Sequence, residues 1–124
     1  MSFDVFAPPG YLTSRGSELS IDSDGQLYVR HGSRTVTVAF SPLQWQLIVV
    51  ALTKLLRPEP GGAVVIESEG PRGGKVRFAK ERLGLVLEAE DRSRRVRIAL
   101  TTNEAGDLRE AARRRATQQD KETV

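Results

Sequence analysis

Residues 41–57, SPLQWQLIVVALTKLLR, constrain the fold of this chain more than any other stretch. Ser41 is a good N-cap, and Pro42 occupies the first helical position, where an N–H has no intrahelical partner to lose. Gln44 stands three residues past the cap, so a capping box can form. Pro58 then turns the chain out of the helix. Between these marks apolar side chains cover most of the circumference. Leu43, Leu47, Val50 and Lys54 run along one row, Trp45, Val49, Leu52 and Leu56 along a second, and Ile48, Ala51, Leu52 and Leu55 along a third. A helix apolar nearly all round has to be covered on two sides. This one falls short of the roughly 20 apolar residues that span a bilayer. It therefore reads as the central helix of a small domain, kept dry by its own sheets and by a partner chain. Trp45, Val49, Leu52 and Leu56 are the candidate oligomer interface, so a homo-oligomer is expected and a membrane is not.

Strand patterns flank this helix on both sides. Residues 19–22 and 26–31 alternate around Asp22-Ser23-Asp24-Gly25, a hairpin signal. Residues 34–40 alternate again, with Val36, Val38 and Phe40 inward, and run straight into the Ser41 cap. After the turn formers at 58–62, four more strands are expected at 63–68, 75–80, 83–90 and 94–100. Their inward residues are Val76 and Phe78, then Leu85, Leu87 and Ala89, then Val96, Ile98 and Leu100. The short connections favour antiparallel pairing. A second helix opens at Thr101-Thr102-Asn103-Glu104, another capping-box pattern. Its apolar stripe is Leu108, Ala112 and Ala116, with Arg109 and Arg113-Arg114-Arg115 on the solvent side. Residues 1–17 form an arm whose Phe3, Val5, Phe6, Tyr11 and Leu12 are too apolar for a solvated tail, and it can supply a further strand. A single domain is expected over 18–117, with half-repeats at about 18–57 and 63–117, and residues 118–124 are expected to fray.

The two halves enter their helices alike. Val36-Thr37-Val38-Ala39-Phe40-Ser41-Pro42-Leu43-Gln44 aligns with Val96-Arg97-Ile98-Ala99-Leu100-Thr101-Thr102-Asn103-Glu104. Each reads apolar, polar, apolar, Ala, apolar, a hydroxyl cap, then Gln or Glu three further on. In element order over residues 18–116 the chain resembles the single-stranded nucleic-acid-binding superfamily of the Whirly proteins, the Pur-alpha repeats and the positive-cofactor-four coactivators. The expected fold is α+β, with curved antiparallel meanders and two helices in a duplicated, Whirly-like layout. The resemblance implies binding of single-stranded DNA or RNA.

Charge decides where such a ligand would sit. Residues 1–60 hold five basic and five acidic residues, whereas residues 61–124 hold fourteen and eleven, so the excess lies in the second half. The solvent face of the second sheet carries Lys75, Arg77, Arg95 and Arg97, interleaved with Glu88 and Glu90. The functional reading is a basic surface tracking a phosphate backbone; the structural reading is a ladder of cross-strand ion pairs. Arg72 sits on the glycine-rich hairpin tip at 69–74, and Tyr28 on the first sheet is the ring best placed to stack on a base. Arg72, Lys75, Arg77, Arg95, Arg97 and Tyr28 are the candidate nucleic-acid-binding residues. Arg92, Arg94, Arg95 and Arg97 with Arg113–115 form the densest basic clusters.

His31 is the only histidine and cysteine is absent, which removes thiolate metal sites and a Cys–His relay. No enzymatic activity, metal or cofactor is expected. The lack of cysteine and of a basic, apolar leader in residues 1–10 points to a cytoplasmic setting. Two functions follow: a small nucleic-acid-binding or regulatory protein, or a protein–protein and self-assembly module with no nucleic-acid role.

Overall fold

Alternation in the sequence becomes two matched sheets in the computed structural model, which describes residues 11–12, 16–22, 24–58, 61–82 and 84–122. The first sheet is the antiparallel meander β1 (Tyr11–Leu12), β2 (Glu18–Ile21), β3 (Gln26–His31) and β4 (Arg34–Ala39), followed by α1 (Pro42–Leu55). The second is β5 (Ala63–Glu67), β6 (Lys75–Glu81), β7 (Gly84–Glu90) and β8 (Arg95–Leu100), followed by α2 (Thr102–Glu122). The fold is therefore α+β, with two helices and two antiparallel sheets. The arm does supply a fourth strand to the first sheet, since Tyr11 pairs with Leu19 and Leu12 with Glu18. Expectations placed on Phe3, Val5, Phe6 and Leu83 lie outside the described residues.

Period-two alternation sorts the strand residues by face. Leu19, Val29 and Val36 stand in one inward row of the first sheet, with Ile21, Leu27 and Val38 in the next; all are buried. Phe78, Leu87 and Ile98, then Val76, Ala89 and Val96, do the same in the second. Strands β3 and β4 pack against β7 and β8, and α1 packs extensively against α2, so one apolar core joins both halves.

Both helices begin with a completed capping box. The Gln44 amide N–H donates to Ser41 Oγ at 3.2 Å, and the Ser41 N–H donates to Gln44 Oε1 at 3.2 Å. In the second half the Glu104 N–H donates to Thr101 Oγ1 at 3.1 Å, and the Thr101 N–H to Glu104 Oε1 at 2.8 Å. Each box satisfies two backbone donors that the first helical turn leaves open. Gln44 also bonds outside its own helix. Its Nε2 donates to the Glu67 carbonyl, tying α1 to the end of β5.

Three expectations need correction. Trp45, Val49 and Leu52 are core residues of the single chain, at 1%, 6% and 0% exposure, and Leu56 is packed against the same core. They cannot form an interface without opening the fold. The row that lies open is instead Leu43, Leu47 and Val50, at 70%, 51% and 55% exposure. One flank of α1 is thus bare in the single chain, and the duplicated layout stands without its being covered. The cause is polar anchoring: the Trp45 indole N–H reaches the Gly25 carbonyl at 3.0 Å, which turns that row inward. Second, α2 continues to Glu122 where the sequence predicts fraying past residue 117, because nothing after Ala116 breaks a helix. Third, Arg115 is partly buried, with Nη2 3.5 Å from the Ile21 carbonyl, so its side chain reaches the end of β2 while α2 itself packs on α1, β7 and β8.

Candidate nucleic-acid interface

The register of the second sheet decides how much of its basic face is free. Arg77, Glu88 and Arg97 stand side by side in one cross-strand row, and Lys75, Glu90 and Arg95 in the next. Glu90 lies 4.0 Å from Lys75 and 3.7 Å from Arg95. Each carboxylate therefore stands between two cations, and this face is largely self-neutralised. Such exposed pairs contribute at most about 1 kcal/mol each.

A different arrangement forms where the two sheets meet. Ser68 Oγ donates to the Ala39 carbonyl at 2.5 Å and accepts from the Gly70 N–H at 3.0 Å, which folds the hairpin tip at 69–74 against the β4 edge. Gly74 makes that approach possible. Its φ is +100°, and a Cβ there would sit 2.9 Å from the Glu90 carbonyl and 3.5 Å from Val38. The next turn is tethered to this tip, because Arg92 Nη2 donates to the Pro71 carbonyl at 3.2 Å.

Asp91 organises that turn. Its Oδ1 accepts from the N–H groups of Ser93 and Arg94, both at 2.9 Å. The Ser93 amide, aided by the Arg94 amide and charge, holds the Asp91 carboxyl below the usual range against the opposing effect of burial. The result is a cleft of about 510 Å³ in which Thr35 and Thr37 of β4 face Arg72, Arg92 and Arg94. Among the described residues none of these three arginines has a carboxylate within ion-pair distance. Asp91, the acid in the cleft, is engaged by backbone amides.

Tyr28 stands directly opposite Thr37 in the β3–β4 register, on the outer face that leads into the cleft. Its hydroxyl donates to Asp22 Oδ2 at 3.2 Å. Partial burial first, then the Asp22 charge and hydrogen bond, raise its pKa above the ordinary tyrosine value, while the positive charge of Arg72 opposes the rise. The Tyr28 phenol thus stays neutral through the physiological range.

Of the six sequence candidates, Arg72 and Tyr28 come together at the sheet junction. Lys75 shares an adjoining cleft with Arg72 and Arg92, while Arg77, Arg95 and Arg97 lie apart, on the outer face of the second sheet. Arg92, Arg94, Thr35 and Thr37 complete the site. The sequence marks these arginines only as part of a charge run, and the threonines not at all. His31 Nδ1 lies 2.8 Å from Ser17 Oγ, and among the described residues no group of three or more His, Cys, Asp or Glu is placed to hold a metal. No helix of the described residues is long and apolar enough to cross a membrane. No protein-family model, curated protein or solved structure matches the chain.

Proposed function

We propose that this protein binds single-stranded nucleic acid at the sheet junction, with Arg72, Arg92 and Arg94 on the phosphates and Tyr28 beneath a base. The observation that carries the reading is the convergence on one cleft of three guanidinium groups, none of them within ion-pair distance of a carboxylate among the described residues. Guanidinium forks suit phosphate oxygens, and the Thr35 and Thr37 hydroxyls add neutral donors of the kind that position a backbone. A ring beside such a groove gives sequence-tolerant stacking. The element order shared with the Whirly-like superfamily supports the reading by analogy, as does a cysteine-free composition suited to the cytoplasm. The cations around Glu88 and Glu90 play a lesser part, since their charge is already balanced.

Anisotropy of labelled oligo-dT tests this directly. Affinity is expected to fall with salt with a log–log slope of about −2, as three phosphate contacts on a single strand imply. Arg72→Glu and Arg94→Glu are each expected to weaken binding at least tenfold, and Arg77→Glu by no more than about twofold. Absence of binding at about 50 mM salt, where phosphate contacts are strong, would remove the proposal.

A further inference from the structure

The open flank of α1 lies beside an open sheet edge. Strand β5 is an edge strand, bonded to β6 on one side alone. The Lys80 N–H donates to the Gly62 carbonyl at 3.0 Å, and the Ser68 N–H to the Gly74 carbonyl at 2.9 Å. Because antiparallel bonding alternates along a strand, positions 62, 64, 66 and 68 point at β6. Ala63 and Val65 therefore turn their backbone N–H and C=O groups to the free edge, as Glu67 does its N–H, the Glu67 carbonyl on that side already accepting from Gln44. Strand β5 also runs the full length of α1 in the opposite direction. At one end Gln44 holds the Glu67 carbonyl; at the other a Cβ on Gly62 would sit 3.1 Å from Leu55 Cδ2. Beyond the Gln44 contact at Glu67, the strand carries no guard of its own, since it has no proline, no lysine and one charged residue.

We propose that this face docks a second copy of the chain, β5 pairing antiparallel with β5 of the partner and α1 packing across the two-fold on its counterpart. The pattern is self-complementary. A two-fold axis at Val65 sets Val65 against the partner's Val65, with both N–H···O=C bonds made, and sets Ala63 against the partner's Glu67. That same axis lays the Leu43, Leu47 and Val50 row against its copy, antiparallel. It also sets the charges in register: Glu67 lies at the N-terminal end of α1 and Lys54, on the exposed row, at the C-terminal end. The antiparallel arrangement brings each Lys54 toward the partner's Glu67. A two-fold axis through the sheet satisfies the edge, the apolar row and the end charges together, which favours a second copy over an unrelated peptide.

Sedimentation velocity on the full chain is the test. Wild type is expected at twice the single-chain mass of 13.7 kDa, dissociating on dilution. Leu47→Glu alters a half-exposed side chain, and Val65→Pro deletes an N–H that β6 does not use. Each is expected to give the single-chain mass with an unchanged circular dichroism spectrum. Lys54→Glu weakens the pair, and Lys54→Glu with Glu67→Lys restores it. The proposal is overturned by a single-chain mass for wild type, or by a pair that survives both Leu47→Glu and Val65→Pro.

Discussion

Trp45→Ala is expected to destabilise the fold by about 4 kcal/mol, lowering Tm by on the order of 15 °C. The side chain is 1% exposed, so its removal leaves a cavity that the surrounding sheet and helix cannot close. It also removes the indole N–H that donates to the Gly25 carbonyl at 3.0 Å. That carbonyl also accepts from the Phe40 N–H at 3.1 Å, so the turn after β2, the end of β4 and the first turn of α1 share one acceptor. Phe40 meets the indole edge-on, with ring centroids 5.3 Å apart at 77°. Trp45→Phe keeps most of the apolar volume and loses the hydrogen bond, and about half the effect is expected from it. Urea denaturation read by circular dichroism gives both values. A Trp45→Ala loss below about 1 kcal/mol would return this residue to the surface.

Gly84→Ala is expected to cost roughly 3 kcal/mol, by a different route. Gly84 opens β7 at φ +157°, and a Cβ there would lie 2.2 Å from the Leu100 carbonyl and 3.3 Å from Thr101 Cα. These are backbone atoms, where β8 hands over to α2, and they cannot rotate away. The strand pair must part or the helix entry must shift. Gly106→Ala is the control of opposite sign. Gly106 lies in α2 with nothing within 4 Å of its notional Cβ, so alanine there should stabilise by about 0.5–1 kcal/mol. Thermal unfolding of the two variants against wild type checks both signs.

What the sequence could show follows from what is local. Alternation in residues 34–40 and 94–100 and the two hydroxyl caps specify strand, turn and helix within a few residues of one another. These elements lie where their patterns put them. The faces of α1 were not legible, because a helix apolar all round offers no moment to orient it. The anchor that turns Trp45 inward is a carbonyl twenty residues away. The candidate site divides on the same principle. Lys75 and Arg95 read as basic, but only the strand register sets Glu90 between them. Arg72 and Tyr28 were recognisable from a loop tip and an outward aromatic. Their neighbours Arg92 and Arg94 come from another hairpin, and sheet-on-sheet packing leaves no periodic trace in a chain.

Backbone amide shifts recorded on the full chain during titration with unlabelled oligo-dT test the proposed binding most directly. Binding at the sheet junction predicts saturable, salt-sensitive changes clustered at Tyr28, Thr35, Thr37, Arg72, Arg92 and Arg94, with the α1 row at Leu43, Leu47 and Val50 unmoved. Changes confined to the outer face around Arg77 and Arg97, or no saturable change at low salt, would contradict it.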